Sequence, residues 1–241
     1  LYDTVRGAEM VLNSNATTAE TSDSNLLTSF DADGFSVGSD SGSNSGTMVA
    51  WCWKAGNTTV TNNDGTIESQ VRSNGDFSIV KYTGNYTNGD TFGHGLTNAP
   101  SLVVIKSTTL NRDWAVYHSS LPLIDNLYLN TTDTAAANGF WTTVAPTSDV
   151  MSLQNTPYIN ELDEEYIAYC WADSPTQSFG SYTGNGLNDG PAIDCGFEPA
   201  FVMVKSSTIV GTSWNIVDSA RGLNYQLYAD LAIAENNLPG Y

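Results

Sequence analysis

The side chains that could do acid–base chemistry are few, and the densest group is a run of carboxylates. Glu161, Asp163, Glu164 and Glu165 fall within five positions. Glycoside hydrolysis needs two carboxylates that flank the bond to be cleaved. These four instead share one loop ahead of an apolar segment, where solvated charges are expected. A polysaccharide depolymerase is therefore kept only as the weaker alternative function.

The two histidines, His94 and His118, do not build a catalytic arrangement. A Ser-His-Asp triad can be drawn through His118, but no nucleophile elbow accompanies it. In the internal repeat described below, Cys195 or its neighbour stands where His94 does, and Asp218 stands where His118 does. If these histidines were catalytic, the second copy of the repeat would be inactive. The sequence therefore predicts a protein that is not an enzyme.

Oxygen-rich turns are the candidate metal sites. Asp31 and Asp33 precede Gly34 as at the start of a calcium loop, but the remaining oxygen ligands and the final Glu do not follow. Turn chemistry explains such segments without a metal. We expect no cofactor, with Ca²⁺ at Asp31 and Asp33 as the alternative.

The three cysteines do not form a disulfide framework. Cys52 and Cys170 occupy the same place in the repeat, each between aromatic residues in an apolar segment. Both are therefore predicted to be small buried core residues. Cys195 lies in a turn and has no counterpart.

One long segment is written twice. Residues 82–116 (YTGN, then PSLVVIKS, then WAV) return as residues 182–216 (YTGN, then PAFVMVKS, then WNI). We interpret this as a tandem duplication of a β-unit, in which residues that recur are requirements of packing. The recurring residues assigned to the core are Trp53, Lys106, Trp114, Trp171, Lys205 and Trp214.

The repeat has a second half, which fixes the predicted domain boundaries. Residues 12–15 match 129–132, residues 48–54 (MVAWCWK) match 166–172 (YIAYCWA), and residues 3–7 match 218–222. We predict an N-terminal unit (1–54, the second half of a repeat), a linker or hairpin (55–76), a complete central unit (77–172) and a C-terminal unit (173–241, the first half of the next). A chain that opens and closes within units and lacks an initiator Met resembles an excerpt of a longer polypeptide.

Composition excludes several classes of partner. The chain has 8 Lys and Arg against 26 Asp and Glu, a formal net charge of −18. Nucleic acid would be repelled, and so would an anionic membrane surface. No apolar run is long enough to span a bilayer, so membrane insertion is not expected.

Short apolar segments between Gly- and Asn-rich turns predict an all-β protein. Antiparallel sandwich or jelly-roll modules in tandem are the expected architecture. Residues 47–54 are predicted to form a strand buried on both faces. Residues 223–234 are the one stretch with helical character.

Binding residues should be sought among aromatic residues that do not recur. Tyr86, Phe92, Trp141 and Tyr158 meet this condition and are the candidates for contact with a glycan or a protein.

The motifs together resemble a family of marine bacteriophage proteins. The resemblance rests on residues 49–56 (VAWCWKAG), 77–85 (FSIVKYTGN), 93–106, 114–118 (WAVYH) and 179–205. Such proteins, found in cyanophages and phages of other abundant ocean bacteria, carry tandem arrays of concanavalin-like β-sandwiches and are mostly uncharacterised. The family supplies no established catalytic residues.

This resemblance implies a virion component, with a tail fibre, an appendage or a surface decoration as the expected setting. Its expected partners are itself, as a homo-oligomer with a trimer preferred, and other virion proteins. A host surface glycan is the alternative partner, which would make the module a carbohydrate-binding adhesin for host attachment.

Overall fold

The computed structural model describes residues 1–237, and these residues form strands and turns without a helix. The all-β prediction is confirmed, whereas residues 223–234 contain a complete strand (Tyr225–Tyr228) with turns and irregular segments around it, so the expected helical character there is wrong. The strands are β1 (Met10–Val11), β2 (Thr21–Ser22), β3 (Leu27–Phe30), β4 (Phe35–Val37), β5 (Val60–Asn62), β6 (Ser69–Ser73), β7 (Phe77–Thr83), β8 (Thr91–Gly93), β9 (Leu102–Ser107), β10 (Ala115–His118), β11 (Leu127–Tyr128), β12 (Val150–Ser152), β13 (Glu165–Trp171), β14 (Phe201–Val204), β15 (Asn215–Asp218), β16 (Tyr225–Tyr228) and β17 (Asn236–Asn237).

The largest sheet has seven antiparallel strands in the order β11-β10-β9-β13-β7-β6-β5. Strand β13, late in the central unit, inserts between β9 and β7. Residues 55–76 supply β5 and β6, a hairpin on the edge of this sheet. The C-terminal unit forms a four-stranded sheet in the order β14-β15-β16-β17, and three two-stranded ladders complete the fold.

Each face of the seven-stranded sheet is apolar, because side chains alternate along β7, β9, β10 and β13. One face carries Val103, Ile105 and Tyr166, and packs against the β8–β12 ladder and the loop residues Phe140 and Trp141. This packing lies within the central unit.

The opposite face of the sheet is covered by the other two units. Leu12 of the N-terminal unit and Trp214 and Ile216 of the C-terminal unit join Val104 and Val116 of the sheet in one hydrophobic cluster. The three units therefore share a core. The cluster consists of Leu12, Ala55, Phe77, Ile79, Leu102, Val104, Trp114, Val116, Leu127, Leu129, Ile167, Tyr169, Trp214, Ile216 and Ala229.

The strand ladders correct the alignment of the repeats near their middle. Val11 pairs with Thr21, Asn126 bridges Ala136, and Gln226 pairs with Asn236. Successive ladders are thus 115 and then 100 positions apart. Leu12 corresponds to Leu127, two residues before the match expected from sequence, because the hydrogen-bonded ladder fixes the register.

Residues 48–54 differ most from expectation. They form no strand, and Met48 (48% exposed) and Trp53 (46% exposed) lie at the surface. The predicted burial of Cys52 is also wrong, whereas Cys170 in β13 is buried as expected. The difference is one of partners: β13 has β7 and β9 on its two sides, and residues 48–54 have no paired strand among residues 1–237.

Candidate functional site

Polar contacts join the units, and the same contacts are made twice. The indole Nε1 of Trp114 donates to the Asn13 carbonyl of the N-terminal unit at 3.0 Å. The equivalent Nε1 of Trp214 donates to the Tyr128 carbonyl of the central unit at 2.8 Å. The amide of Glu20 donates to Thr108 O, and that of Ala135 to Ser207 O, both at 2.9 Å.

The backbone around the two tryptophans is also equivalent. The Trp114 amide donates to Asn130 Oδ1 at 2.9 Å, and the Trp214 amide donates to Asp230 Oδ1 at 3.0 Å. Trp114 and Trp214 are 0% and 5% exposed, so each is a buried side chain that bonds to another unit. Their recurrence in the sequence thus reflects a repeated inter-unit contact as well as core packing.

Lys106 is another buried side chain that bonds to a neighbouring unit. Its Nζ donates to the carbonyls of Thr17, Ser107 and Leu110 at 3.1, 3.0 and 3.3 Å, and Thr17 belongs to the N-terminal unit. Burial lowers the pKa of Lys106 to about 8, and the nearby Asp113 acts in the opposite direction. Lys205 Nζ donates to Thr212 O of its own unit at 2.6 Å, and burial also lowers the pKa of Lys205.

An ion cluster is associated with each of the ladders β1–β2 and β16–β17: two of its residues precede the ladder, and the third lies between its two strands. Arg6 Nη1 contacts Glu20 at 2.8 Å, and its Nε contacts Asp3 at 2.5 Å. We call Asp3, Arg6 and Glu20 the N-terminal clasp. Burial alone would lower the pKa of Arg6, but Tyr169, Asp3 and Glu20 together raise it above its usual range.

The C-terminal unit carries the same cluster 215 positions later. Arg221 contacts Asp218 at 2.7 Å and Glu235 at 3.1 Å, and these three residues form the C-terminal clasp. Burial opposes ionisation of Asp218, but hydrogen bonds from Arg221 and Trp51 lower its pKa. Sequence analysis matched the Asp and Arg but missed Glu20 and Glu235, although each follows its arginine by 14 positions.

Each clasp receives a donor from another unit. Tyr169 Oη of the central unit donates to Asp3 Oδ2 at 2.8 Å. Trp51 Nε1 of the N-terminal unit donates to Asp218 Oδ2 at 3.2 Å, and the Arg221 guanidinium lies 5.7 Å from the Trp51 ring centroid. Trp51 and Tyr169 are repeat equivalents, so this inter-unit contact also recurs.

An aromatic groove lies beside the C-terminal clasp. Its volume is about 560 Å³, and it is lined by residues 48–53, Ala200, Phe201 and residues 218–220. The Trp51 and Trp53 rings meet Phe201 edge-on at 5.6 and 5.7 Å between centroids. Trp53 was predicted to be a core residue; that is wrong, because its ring stands at this half-open groove. Trp171, its equivalent, is partly buried against Phe77.

The four predicted binding aromatics fall into two classes. Phe92 and Trp141 are 0% and 2% exposed and belong to the core, so their assignment as ligand-binding residues is wrong. Core packing fills the space that a ligand would need. Tyr86 is 46% exposed, and its amide donates to Asn160 O; Tyr158 is partly buried, and its ring stacks on Phe140 at 4.7 Å between centroids.

The histidines and the acidic loop are engaged in local structure. His94 is buried; its Nδ1 accepts from the Leu96 amide, and its Nε2 lies 3.2 Å from Thr147 O. Burial lowers the pKa of His94. His118 Nδ1 accepts from the Ser120 amide. Of the acidic run, Glu165 is not in a loop as predicted but is the first residue of β13, where it contacts Lys81 at 3.0 Å.

The carboxylate of Asp31 is occupied by hydroxyl groups. It accepts from Ser29 and Ser36 at 2.8 Å each, as turn chemistry predicts. Asp33 lies in the same exposed turn. Within residues 1–237, no three His, Cys, Asp or Glu side chains are grouped so that they could hold a metal ion.

A family model for a domain of unknown function, DUF7483, matches residues 1–238. The chain belongs to this family. No curated protein and no solved structure matches the chain. The family match spans all three units, in agreement with contacts that join them. No helix of residues 1–237 is of the length and apolarity that crossing a bilayer requires.

Proposed function

We propose that this chain is a non-enzymatic structural protein of a bacteriophage virion, a module of a tail fibre, appendage or surface decoration. The recurrent contact between units carries the proposal: the same indole-to-carbonyl bond joins successive units, and each clasp accepts a hydrogen bond from another unit. A scaffold needs such an interface because one geometry applied repeatedly builds an extended structure. Its location is the virion, and its partners are further copies of itself and other virion proteins.

The resemblance to phage proteins supports this setting, and concanavalin-like sandwiches are the module fold we propose. The net charge of −18 supports a surface role, because it keeps an exposed protein soluble and free of non-specific contacts. Mass spectrometry of purified particles of a phage encoding the chain tests the proposal. We expect the protein at many copies per particle; its absence from purified particles would refute a virion role.

Host attachment through a glycan is the second candidate, and one loop favours it. Tyr86 is exposed on a loop held by Asn85 Nδ2 to Asp90 Oδ2 at 2.5 Å and by the Thr87 amide to Asn85 Oδ1 at 3.0 Å. A rigid loop presents an aromatic ring at low entropic cost, which suits stacking on a sugar.

A glycan array separates this candidate from a purely structural role. The chain should bind a subset of bacterial surface glycans, and Tyr86→Ala should abolish the signal while Tyr182→Ala, at another exposed tyrosine, retains it. Arrays without any binding, with or without Ca²⁺, would leave only the structural role.

A further inference from the structure

Several asparagines of this chain are followed directly by glycine, a pair that can react with itself. They are Asn74, Asn88, Asn138 and Asn185. The backbone nitrogen of the glycine can attack the asparagine side-chain amide, because glycine has no Cβ to obstruct the approach. This attack deamidates the asparagine without an enzyme. The reacting pair is the same dipeptide at each position, so the surrounding structure decides which of them reacts.

The reaction has two structural requirements. The glycine N–H must be free, because an N–H that donates a hydrogen bond has to break that bond before its nitrogen can react. The asparagine side chain must also be free to turn its Cγ toward the nitrogen, and hydrogen bonds to neighbouring backbone groups prevent this. The Asn–Gly pairs differ in both respects.

Asn74 meets neither requirement. The amide of Gly75 donates to Ser73 Oγ at 2.9 Å. The Oδ1 of Asn74 accepts from the amides of Asp76 and Phe77, at 2.9 and 2.8 Å. The nucleophile and the side chain that it would attack are thus both held in place.

Asn88 fails the first requirement alone. Its side chain is exposed to solvent. The amide of Gly89, however, donates to Leu153 O at 2.8 Å, and the Leu153 amide donates back to Asp90 O at 2.8 Å. These two bonds tie the loop to the neighbouring segment. Asn88 is therefore an exposed Asn–Gly pair whose nucleophile is blocked.

Asn185 fails the second requirement alone. The amide of Gly186 has no acceptor in the part of the chain that the structure describes. The Asn185 side chain is held at both of its polar atoms, because Nδ2 donates to Asp189 O at 2.8 Å and Oδ1 accepts from the Leu187 amide at 3.0 Å. A side chain fixed in this way has to break two bonds before it can turn.

Asn138 meets both requirements. Within residues 1–237 the Gly139 amide donates to no acceptor, and the Asn138 side chain makes no hydrogen bond. Both residues are exposed. Apart from its chain neighbours, no described atom lies within 4 Å of the position that a Cβ on Gly139 would take. The approach of the nitrogen to the side chain is therefore unobstructed.

We propose that Asn138 is a site of spontaneous deamidation that reacts faster than the other Asn–Gly pairs. The Gly139 nitrogen forms a bond to Asn138 Cγ and loses its proton to water, the Cγ–Nδ2 bond breaks, and ammonia leaves. Water then opens the succinimide ring. Opening at one carbonyl gives aspartate, and opening at the other gives isoaspartate, in which the main chain runs through Cβ and Cγ. This inference goes beyond the proposed function and does not depend on it.

The loop that contains Asn138 joins two fixed points. Before it, the Ala135 amide donates to Ser207 O of the C-terminal unit at 2.9 Å. After it, Phe140 is buried in the core, and its carbonyl accepts from the Gln154 amide at 3.0 Å. Isoaspartate inserts a further carbon atom into the main chain between these points. Deamidation at Asn138 thus alters the connection between a contact that joins two units and the core.

Peptide mapping of the aged chain tests the proposal. The full chain is incubated in mildly alkaline buffer and cleaved with chymotrypsin, and mass spectrometry measures the deamidated fraction at each Asn–Gly pair. An unincubated sample corrects for conversion during digestion. We expect Asn138 to convert at least about fivefold faster than Asn88, because the Gly89 amide must first break its bond to Leu153 O. The other two asparagines should also convert more slowly than Asn138.

Incubation in guanidinium chloride is the control. Unfolding removes the hydrogen bonds that protect the other pairs, so all the Asn–Gly pairs should then convert at similar rates. In the folded chain, Asn138→Gln should remove the fast phase of isoaspartate formation, measured with a protein isoaspartate methyltransferase, and leave the slower phases. Another pair that converts as fast as Asn138 in the folded chain, or the same ranking in denaturant, would overturn the proposal.

Discussion

At the scale of residues, two cations take part in the contacts between units, and they do so in different ways. The ammonium group of Lys106 is buried and donates hydrogen bonds to three backbone carbonyls. Arg6 is paired with two carboxylates and with Tyr169 Oη. Burial costs a lone cation far more than a paired one. The two residues therefore respond differently to pH and to substitution.

Stability should depend on pH through Lys106. Its folded pKa, about 8, lies below the ordinary lysine value of 10.5, so between these values the unfolded state binds more protons. Stability from this group therefore rises as pH increases from about 8 toward 10.5. Denaturant unfolding at pH 7.5 and 9.5, compared between the native chain and Lys106→Met, should show a gain with pH that the variant lacks. An equal response of both proteins would contradict the assignment.

Removing the arginine of the N-terminal clasp should be costly. Arg6→Met leaves the Asp3 side chain buried without its cationic partner, since both side chains are 2% exposed, and the free energy of unfolding should fall by about 3–5 kcal/mol. Adding Asp3→Asn removes the stranded charge and should recover part of the loss. Lys81→Met, in an exposed pair with Glu165, is the control and should cost less than about 1 kcal/mol. A double variant less stable than Arg6→Met would rule out this account.

At the scale of elements, β9–β10 and β14–β15 are the same hairpin in two settings. Each presents its equivalent apolar face and its tryptophan to the shared core. They differ at one edge: β9 has β13 beside it, and no strand within residues 1–237 pairs with the outer edge of β14. The hairpin thus packs on the shared core in both settings.

The two indole bonds should have similar energies because their geometries match. Trp114→Phe and Trp214→Phe each leave a carbonyl of another unit without its donor, and each should lower the free energy of unfolding by about 1–3 kcal/mol. Trp53→Phe, at a ring that is 46% exposed, should change it by less than about 1 kcal/mol. Equilibrium denaturation measures all three. A large loss in only one of the first two would show that the contacts are not equivalent.

At the scale of the whole molecule, charge opposes compaction while a shared core favours it. The formal net charge is −18, and the three units are joined through one cluster rather than separate cores. Repulsion among surface carboxylates is screened by salt, whereas buried ion pairs are screened little. The three units should unfold in a single transition, because no unit covers its apolar face without the other two.

Salt should therefore stabilise the chain. Raising NaCl from 20 mM to 500 mM should raise Tm by about 2–4 °C, corresponding to about 1 kcal/mol for a protein of this size. Calorimetry at both concentrations measures the change, and a single transition is expected because the core is shared. A fall in Tm would mean that attractive surface pairs outweigh the net repulsion.

The sequence by itself determined the class of fold and the positions of the recurring tryptophans and lysines. Alternating apolar residues between Gly and Asn turns can only be satisfied by short strands, which the seven-stranded sheet bears out. The recurrence of tryptophan and lysine at fixed intervals located both Trp114 and Trp214 and both Lys106 and Lys205. The sequence reveals which residues packing requires because the same residue types recur at the same positions of each unit.

Only the tertiary structure decided which repeated residues are buried. Residues 48–54 and β13 share one pattern, yet β13 is enclosed by β7 and β9 while Trp53 and Cys52 lie exposed, because strand burial depends on neighbours that pattern does not reveal. The burial of Phe92 and Trp141 and the closing of each clasp by Glu20 or Glu235 likewise depend on contacts between distant segments. Which of these residues are buried or paired depends on contacts between segments that are distant in sequence, and a local sequence pattern does not contain that information.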